Sequence, residues 1–234
     1  KPVMGEDLSP EAIVEQAEYY GCESISYTYT EPTVFFEYAY ETAKLAHRKG
    51  IKNVFVSNGF INPKPIETLA PYLDAINIDL KGFSEDYYRD ICGAEFQPVL
   101  EAIKKYYQQG VFLELTSLIV PGHNDTENML TSMARFIASI DPEIPWHISG
   151  FAPAYQMRDT PPTTTETIHQ AIQIGKREGL KYIYSGNLPG DQHENTYCPS
   201  CGELVIERNG LIASAEKLEG TKCGRCGAEI KLFL

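Results

Sequence analysis

Four cysteines near the end of the sequence are spaced as metal ligands. They form two C-x-x-C pairs, Cys198 with Cys201 and Cys223 with Cys226, separated by residues 202–222. Each pair places two sulfur atoms on one tight turn, and the glycine after each pair permits the left-handed backbone that such a turn needs. Four thiolates can close a tetrahedron around one metal ion. We therefore expect a metal ribbon that binds zinc through these four side chains.

Two alternatives use the same four cysteines. A rubredoxin-like iron site has the same knuckles, so iron stays open as the metal. Two disulfide bonds are typical of secreted proteins, but residues 5–16 are acidic and polar rather than a secretory signal, and we expect a cytoplasmic protein. Cys22 and Cys92 are isolated, and we interpret both as buried structural thiols.

A second group of polar residues lies in or just after the predicted strands. The carboxyl ends of parallel strands meet at one edge of a sheet, where the chemistry of α/β folds collects. A carboxylate, an amide, an Asp/Lys pair and an imidazole can together hold a zwitterionic ligand rich in hydrogen-bonding groups. The residues concerned are Glu31, Ser57, Asn58, Asp79, Lys81 and His147.

Each of these residues also has a structural interpretation. Glu31 could stand at a helix N-terminus, where a carboxylate is favourable. Asn58 could belong to a plain turn with Gly59, Asp79 and Lys81 could form an ion pair, and a histidine within a strand could be buried in the core.

The elements that must position these residues alternate between strands and helices. Strands are predicted over 24–30, 53–58, 75–81, 112–120, 146–151 and 181–185, and helices over 9–20, 33–49, 65–72, 84–91, 97–109, 125–140 and 164–178. This alternation predicts an α/β fold with mainly parallel strands. Six strands are too few for eight-stranded closure, so we expect an incomplete (β/α) barrel, with a doubly wound sheet as the alternative.

The chain is expected to divide into two parts, an α/β barrel over 1–190 and the metal ribbon over 191–234. Within the ribbon, short strands are predicted over 203–207, 211–213 and 230–233.

Composition excludes several classes of function. The sequence has 234 residues, of which 43% are hydrophobic, and this fraction is too high for a disordered chain. Its 20 basic and 32 acidic residues give a formal charge of −12, which argues against nucleic acid as a partner. No long uncharged segment could span a membrane.

Four motifs occur in an order that resembles radical S-adenosylmethionine (SAM) enzymes, in the branch related to pyruvate formate-lyase activating enzyme. They are TYTEPT at 28–33, SNGF at 57–60, IDLK at 78–81 and IVPGHND at 119–125. With the ribbon following YSGN at 184–187, the chain resembles the radical enzyme of the AmmeMemoRadiSam system. The genes of that system accompany a Memo-like and an AMMECR-type protein, which the resemblance suggests as partners.

The resemblance implies roles for individual residues. Glu31 would bind the amino group of the methionine moiety of SAM, although Tyr29 and Thr30 replace the two glycines of the family's Gly-Gly-Glu-Pro motif. Ser57 and Asn58 would form the turn near the ligand.

Two further matches complete the implied cofactor site. Asp79 and Lys81 match the Asp-x-Lys motif that contacts the ribose or carboxylate end of the cofactor. His147 lies near the family's histidine-bearing strand.

The catalytic metal site of the family is the main departure. Radical SAM enzymes hold a [4Fe–4S] cluster with cysteines spaced C-x3-C-x2-C, and no such triplet occurs in this sequence. We expect the cluster ligands to lie upstream of Lys1, so this chain alone would be inactive. When complete, the enzyme would cleave SAM reductively and abstract hydrogen from an unknown substrate, with a protein as one option. The alternatives are a non-catalytic zinc-ribbon interaction protein and a Schiff-base aldolase or lyase that uses Lys81.

Overall fold

The computed structural model describes residues 7–210 and 212–232. Two positions of predicted ribbon strands, Leu211 and Phe233, lie outside the described residues. The helices of the described residues are α1 (Pro10–Tyr19), α2 (Phe36–Arg48), α3 (Pro63–Leu69), α4 (Glu85–Tyr87), α5 (Gln97–Gln108), α6 (Glu127–Ile140) and α7 (Thr165–Arg177). Short 3-10 turns cover Ala70–Tyr72 and Gln192–Glu194, and a π-helical turn covers Tyr88–Cys92.

Side-chain caps begin four of these helices, and at the start of α4 the Ser84 hydroxyl accepts from the backbone N–H of Tyr87. The hydroxyl of Ser9 accepts from the backbone N–H of Ala12 at the start of α1, and Thr126 and Thr164 act in the same way for α6 and α7. Such caps satisfy N–H groups that the first helical turn leaves unpaired. The predicted helices are confirmed with shifts at their ends. Helix α2 begins three residues later than predicted, and the helix predicted over 84–91 forms as the short α4 followed by the π-helical turn.

Six strands form one sheet whose order follows the chain, β1-β2-β3-β4-β5-β6. They are β1 (Ser24–Tyr27), β2 (Lys52–Ser57), β3 (Ala75–Asp79), β4 (Phe112–Ile119), β5 (Trp146–Gly150) and β6 (Ile183–Gly186). Strand β1 pairs in parallel with β2, β2 with β3, β4 with β5, and β5 with β6. This arrangement, with helices between successive strands, confirms the predicted α/β class.

The chain forms two compact units that cut across this alternation. The first contains residues up to 78 together with 97–113, and the second contains 79–96 together with the residues from 114 onward. The predicted division at residue 190 stays a prediction.

Asn53 organises the interior of the first unit. Its amide donates to the backbone oxygens of Ala43 and Tyr72, and its oxygen accepts from the hydroxyl of Tyr27 at 3.0 Å. Asn53 is fully buried, so these bonds satisfy a polar group that would otherwise be costly in the core. They tie β2 to α2, to β1 and to the turn before β3.

Trp146 and Ser117 organise the interior of the second unit. The Ser117 hydroxyl donates to the backbone oxygen of Leu80 at 2.6 Å, and the indole N–H of Trp146 donates to Ser117 at 3.0 Å. Both side chains are fully buried.

The ribbon follows β6 in the second unit and contains β7 (Thr196–Tyr197), β8 (Leu204–Asn209), β9 (Ile212–Ser214), β10 (Leu218–Glu219) and β11 (Lys222–Cys223). The strand predicted over 230–233 is wrong for its described residues. There, Ile230 is buried in the ribbon core, while β10 and β11 pair with each other instead. The core also includes Tyr182, which precedes β6, and the phenol of Tyr182 accepts from the backbone N–H of Lys231 at 3.0 Å.

Among the described residues, no helix has the length and apolar character needed to cross a membrane.

Candidate functional site

In the first unit, the structure brings together three of the predicted site residues. One carboxylate oxygen of Glu31 accepts from the Ser57 hydroxyl at 2.8 Å and from the backbone N–H of Thr33 at 3.2 Å. The other oxygen accepts from the backbone N–H of Asn58 at 2.7 Å. The carboxylate therefore stands at the carboxyl end of β2, held in orientation by two separate elements.

These contacts decide between the two interpretations of Glu31. Helix α2 begins at Phe36, three residues later than predicted, and its first turn has no side-chain cap. Glu31 therefore does not cap this helix, because its carboxylate is turned toward the end of β2 instead.

The loop around Glu31 has a backbone that glycine would adopt most easily. Tyr29 has a φ of 68°, and its side chain is fully exposed. This left-handed conformation is unfavourable for any residue with a Cβ atom, by about 1–2 kcal/mol. Tyr29 thus has a glycine-like backbone conformation at a position where the motif of the resembled family has glycine.

The turn after β2 is equally constrained. Gly59 has a φ of 73°, and a Cβ atom at this position would lie 2.7 Å from the Cγ2 atom of Ile78. The Asn58 side chain accepts from the backbone N–H of Phe60 at 2.8 Å. Asn58 thus forms a turn, as the structural interpretation held, and its backbone also binds the Glu31 carboxylate.

In the second unit, Asp79 and Lys81 form the ion pair that their spacing allows. The Lys81 ammonium lies 2.9 Å from an Asp79 carboxylate oxygen, and both side chains remain partly exposed. The backbone N–H of Lys81 donates to the buried phenol of Tyr88 at 3.2 Å. Burial raises the pKa of Tyr88 well above its usual range, so this phenol stays neutral.

Asn124 fixes the backbone next to Lys81. Its amide nitrogen donates to the backbone oxygens of Lys81 at 2.7 Å and of Leu118 at 2.8 Å, and its oxygen accepts from the N–H of Val120 at 2.7 Å. Asn124 is fully buried. The IVPGHND motif thus positions the IDLK motif through one amide side chain.

His147 takes part in a polar network rather than in an apolar core. Its Nε2 atom lies 2.8 Å from a carboxylate oxygen of Glu114 on β4, and its side chain is 31% exposed. The ring stacks on Tyr184 of β6, with ring centres 5.2 Å apart. The structure therefore groups His147 with Glu114, which sequence reasoning missed. Glu114 is the single charged residue of β4, and this was the available signal.

This network continues into the ribbon. The Tyr184 hydroxyl lies 3.0 Å from the Thr196 hydroxyl, and the Arg208 guanidinium lies 5.3 Å from the centre of the Tyr184 ring. Arg208 also donates to the backbone oxygen of Glu194 at 2.9 Å.

The four ribbon cysteines come together as predicted. The sulfurs of Cys198 and Cys226 are 3.6 Å apart, those of Cys201 and Cys223 are 3.8 Å apart, and all four lie within 4.8 Å of one another. A tetrahedral ion with Zn–S bonds of roughly 2.3 Å would set its sulfurs about 3.8 Å apart. The cluster therefore fits one ion, either zinc or iron.

Cys198 is the cysteine of the first knuckle whose thiolate form is favoured. Burial acts to raise the pKa of Cys198, but hydrogen bonds from the backbone N–H groups of Cys201 and Ser200 and from neighbouring thiols outweigh it and lower this pKa to about 7. Such N–H···S bonds orient a metal-binding sulfur and stabilise its charge. A backbone hydrogen bond from Glu203 acts to lower the pKa of Cys201, but burial and the neighbouring thiols outweigh it and raise this pKa to about 12 instead.

The prediction that both remaining cysteines are buried was wrong for Cys22, which is exposed just after α1. Cys92 is only half-buried, and burial raises the pKa of its thiol.

Comparison with known proteins agrees with this arrangement. The model of the radical SAM superfamily matches residues 1–137. An uncharacterised protein of Methanocaldococcus jannaschii is 44% identical over 232 residues, which cover 97% of this chain and 68% of that protein. The benzylsuccinate synthase activating enzyme of Thauera aromatica is 21% identical over 230 residues, covering 88% of this chain and 68% of that enzyme.

A solved structure shares the fold. A domain of pyruvate-formate lyase-activating enzyme from Bacteroides vulgatus superposes with a TM-score of 0.60 at 20% identity, covering 69% of this chain and 98% of that domain.

Proposed function

The chain belongs to the radical SAM superfamily, and we propose that it forms the SAM-binding core of an enzyme that cleaves SAM reductively and abstracts hydrogen from a substrate. The observation that carries this proposal is the orientation of the Glu31 carboxylate by Ser57 and Asn58. A protein substrate is part of the proposal because two activating enzymes are among its relatives.

The donor set fits the amino end of SAM. A carboxylate offers about four acceptor positions, and the donors described above for Glu31 occupy three. The remaining capacity suits an ammonium group, to which a charge-assisted hydrogen bond forms readily. Glu31 would hold this group, while Ser57 and the backbone of Asn58 keep the carboxylate from rotating.

From the resemblance, we propose that Asp79 and Lys81 contact the ribose or carboxylate end of SAM. Lys81 is a cation that can pair with a carboxylate, and Asp79 can accept from ribose hydroxyls. Asn124 and Tyr88 restrain the Lys81 backbone at its oxygen and its N–H. His147, with Glu114, is proposed to add a polar contact near the same cofactor. Bound SAM would supply the radical chemistry, and these side chains would supply position and charge.

The cysteines of this sequence do not fit the [4Fe–4S] cluster that the family implies. The sequence has no C-x3-C-x2-C triplet, and the ribbon sulfurs lie close enough together to hold a single ion. No step of the reaction is therefore assigned to a cluster held by these side chains. For the ribbon, we propose zinc, which is structural in closed four-cysteine sites.

The proposed function can be tested with the protein expressed from its whole coding sequence. After anaerobic reconstitution with iron and sulfide, dithionite and SAM should yield methionine and 5′-deoxyadenosine. A Glu31→Gln variant should raise the KM for SAM about tenfold or more, since a hydrogen bond to a charged group contributes about 1.5–3 kcal/mol. Lys44→Ala, which removes an exposed ion pair with Glu41, is the matched control and should leave the KM unchanged.

The absence of 5′-deoxyadenosine from a reconstituted protein under strong reduction would refute the proposal. An unchanged KM in Glu31→Gln, with product formed, would instead refute the assignment of Glu31.

The structure gives no support to the alternatives. A Schiff-base lysine needs an apolar pocket, whereas Lys81 is partly exposed and paired with a carboxylate. Memo-like and AMMECR-type partners and a cytoplasmic location remain proposals that rest on the resemblance and the composition.

A further inference from the structure

A second cluster of metal-binding side chains lies outside the sites described so far. His169 belongs to α7, whereas Asp191 and His193 lie in the segment between β6 and β7. The Nε2 atom of His169 is 2.6 Å from one Asp191 carboxylate oxygen, and the Nδ1 atom of His193 is 2.8 Å from the other. The two imidazole rings have centres 4.9 Å apart.

We propose that His169, Asp191 and His193 form a second metal site, which binds one divalent transition-metal ion such as Zn²⁺ independently of the ribbon. Two imidazoles and one carboxylate are a donor set for zinc and for ferrous iron. The ligands would be His169 Nε2, His193 Nδ1 and an Asp191 oxygen, which all lie within 4.8 Å of one another.

The two imidazoles face different oxygens of Asp191, so a shared ion would be bound by both oxygens or would draw the imidazoles toward one of them. With bonds of about 2.1 Å, neighbouring ligand atoms are about 3.0 Å apart in an octahedron and about 3.4 Å apart in a tetrahedron. The nitrogen–oxygen distances here are shorter, as hydrogen bonds require, and would lengthen by roughly half an ångström when an ion replaces the shared protons.

Hydrogen bonds from neighbouring groups fix the orientation of the Asp191 carboxylate. The oxygen facing His193 also accepts from the Ser185 hydroxyl at 3.0 Å and from the backbone N–H of His193 at 2.9 Å. Such supporting bonds are typical of the residues around a metal ligand.

An ion from solvent can reach this cluster. The side chain of His169 is 38% exposed, whereas those of Asp191 and His193 are 9% and 13% exposed. His193 also lines a cavity of about 370 Å³. Three protein ligands with one accessible side leave room for a water molecule in the coordination sphere.

The site can be tested by calorimetric titration of the 234-residue chain with Zn²⁺ at pH 7.5, after the ribbon has been loaded with one equivalent. At this pH most imidazoles are neutral and able to bind metal. The wild-type chain should bind one further equivalent, and His169→Ala should weaken that binding at least tenfold. His123→Ala removes a histidine outside the cluster and should bind Zn²⁺ as the wild type does.

Imidazole ¹⁵N NMR of the wild type provides a second measurement that needs no variant. The further equivalent of Zn²⁺ should shift the resonances of His169 and His193 and leave those of His123 unchanged. The proposal is overturned if the zinc-loaded chain takes up no further Zn²⁺. It is also overturned if uptake is equal in wild type and His169→Ala, or if the ¹⁵N shifts appear at other histidines. In those cases the cluster is a hydrogen-bonded triad only.

Discussion

Replacing Asn124 with alanine should destabilise the second unit by about 3 kcal/mol. The change removes the partner of three backbone groups, the N–H of Val120 and the oxygens of Lys81 and Leu118, at distances of 2.7–2.8 Å. Leaving a buried polar group without its partner costs about 1–3 kcal/mol, so three groups at the lower end give the stated value.

Urea unfolding followed by the fluorescence of Trp146 is the appropriate assay. Trp146 is the one tryptophan of the sequence, is fully buried, and lies in the same unit as Asn124. With a denaturant slope of about 2 kcal/mol per molar, the midpoint should fall by about 1.5 M.

A matched variant separates this effect from the general loss of an asparagine. Asn128→Ala changes an exposed asparagine of α6 in the same unit and should alter the free energy of unfolding by less than about 1 kcal/mol. A loss of less than 1 kcal/mol in Asn124→Ala would refute the reasoning, because the motif would then be held by other contacts.

Three further changes test other features of the structure. In thermal melts, Gly59→Ala should destabilise the fold by about 2 kcal/mol or more, because the new Cβ atom would clash with the Ile78 side chain at a positive φ. Gly50→Ala is the control: its φ is 74°, but the space around it is open, so it should cost only about 1 kcal/mol. Tyr29→Gly should raise the free energy of unfolding by up to about 1 kcal/mol, because relief of the left-handed strain exceeds the entropy cost of glycine. A lower melting temperature would show instead that the phenol ring makes a stabilising contact. Iodoacetamide should label Cys22 before Cys92 at pH 8, because the raised pKa of Cys92 reduces its thiolate fraction. The labelling rate of Cys92 should keep rising at higher pH. Equal rates for the two cysteines, measured by peptide mapping with mass spectrometry, would contradict this.

The strands and the ribbon ligands were accessible from sequence because their signals are local. The two C-x-x-C pairs define their own turns, and a strand such as β3 shows apolar residues, Ile76 and Ile78, at alternate positions. The pairing of Asp79 with Lys81 also follows from their spacing, because side chains two residues apart share one face of a strand.

Other features depend on contacts between distant residues and leave little trace in the sequence. The start of α2 was misplaced because Glu31 bonds the end of β2, which is decided by tertiary structure rather than by helix propensity. His147 meets Glu114 across neighbouring strands, and His169 meets Asp191 between a helix and a later loop. In each case the register of separate elements must be known first.

The position of Tyr182 has a consequence for any attempt to exchange the ribbon between proteins. This residue precedes β6, yet its ring completes the ribbon core and its backbone oxygen accepts from the N–H of Trp146. In a chimera joined after β6, the residue at position 182 would therefore have to pack in the new ribbon core and keep its backbone bond to Trp146. The ribbon therefore cannot be transferred alone, because a ribbon from another protein would need a core that accommodates the ring of Tyr182.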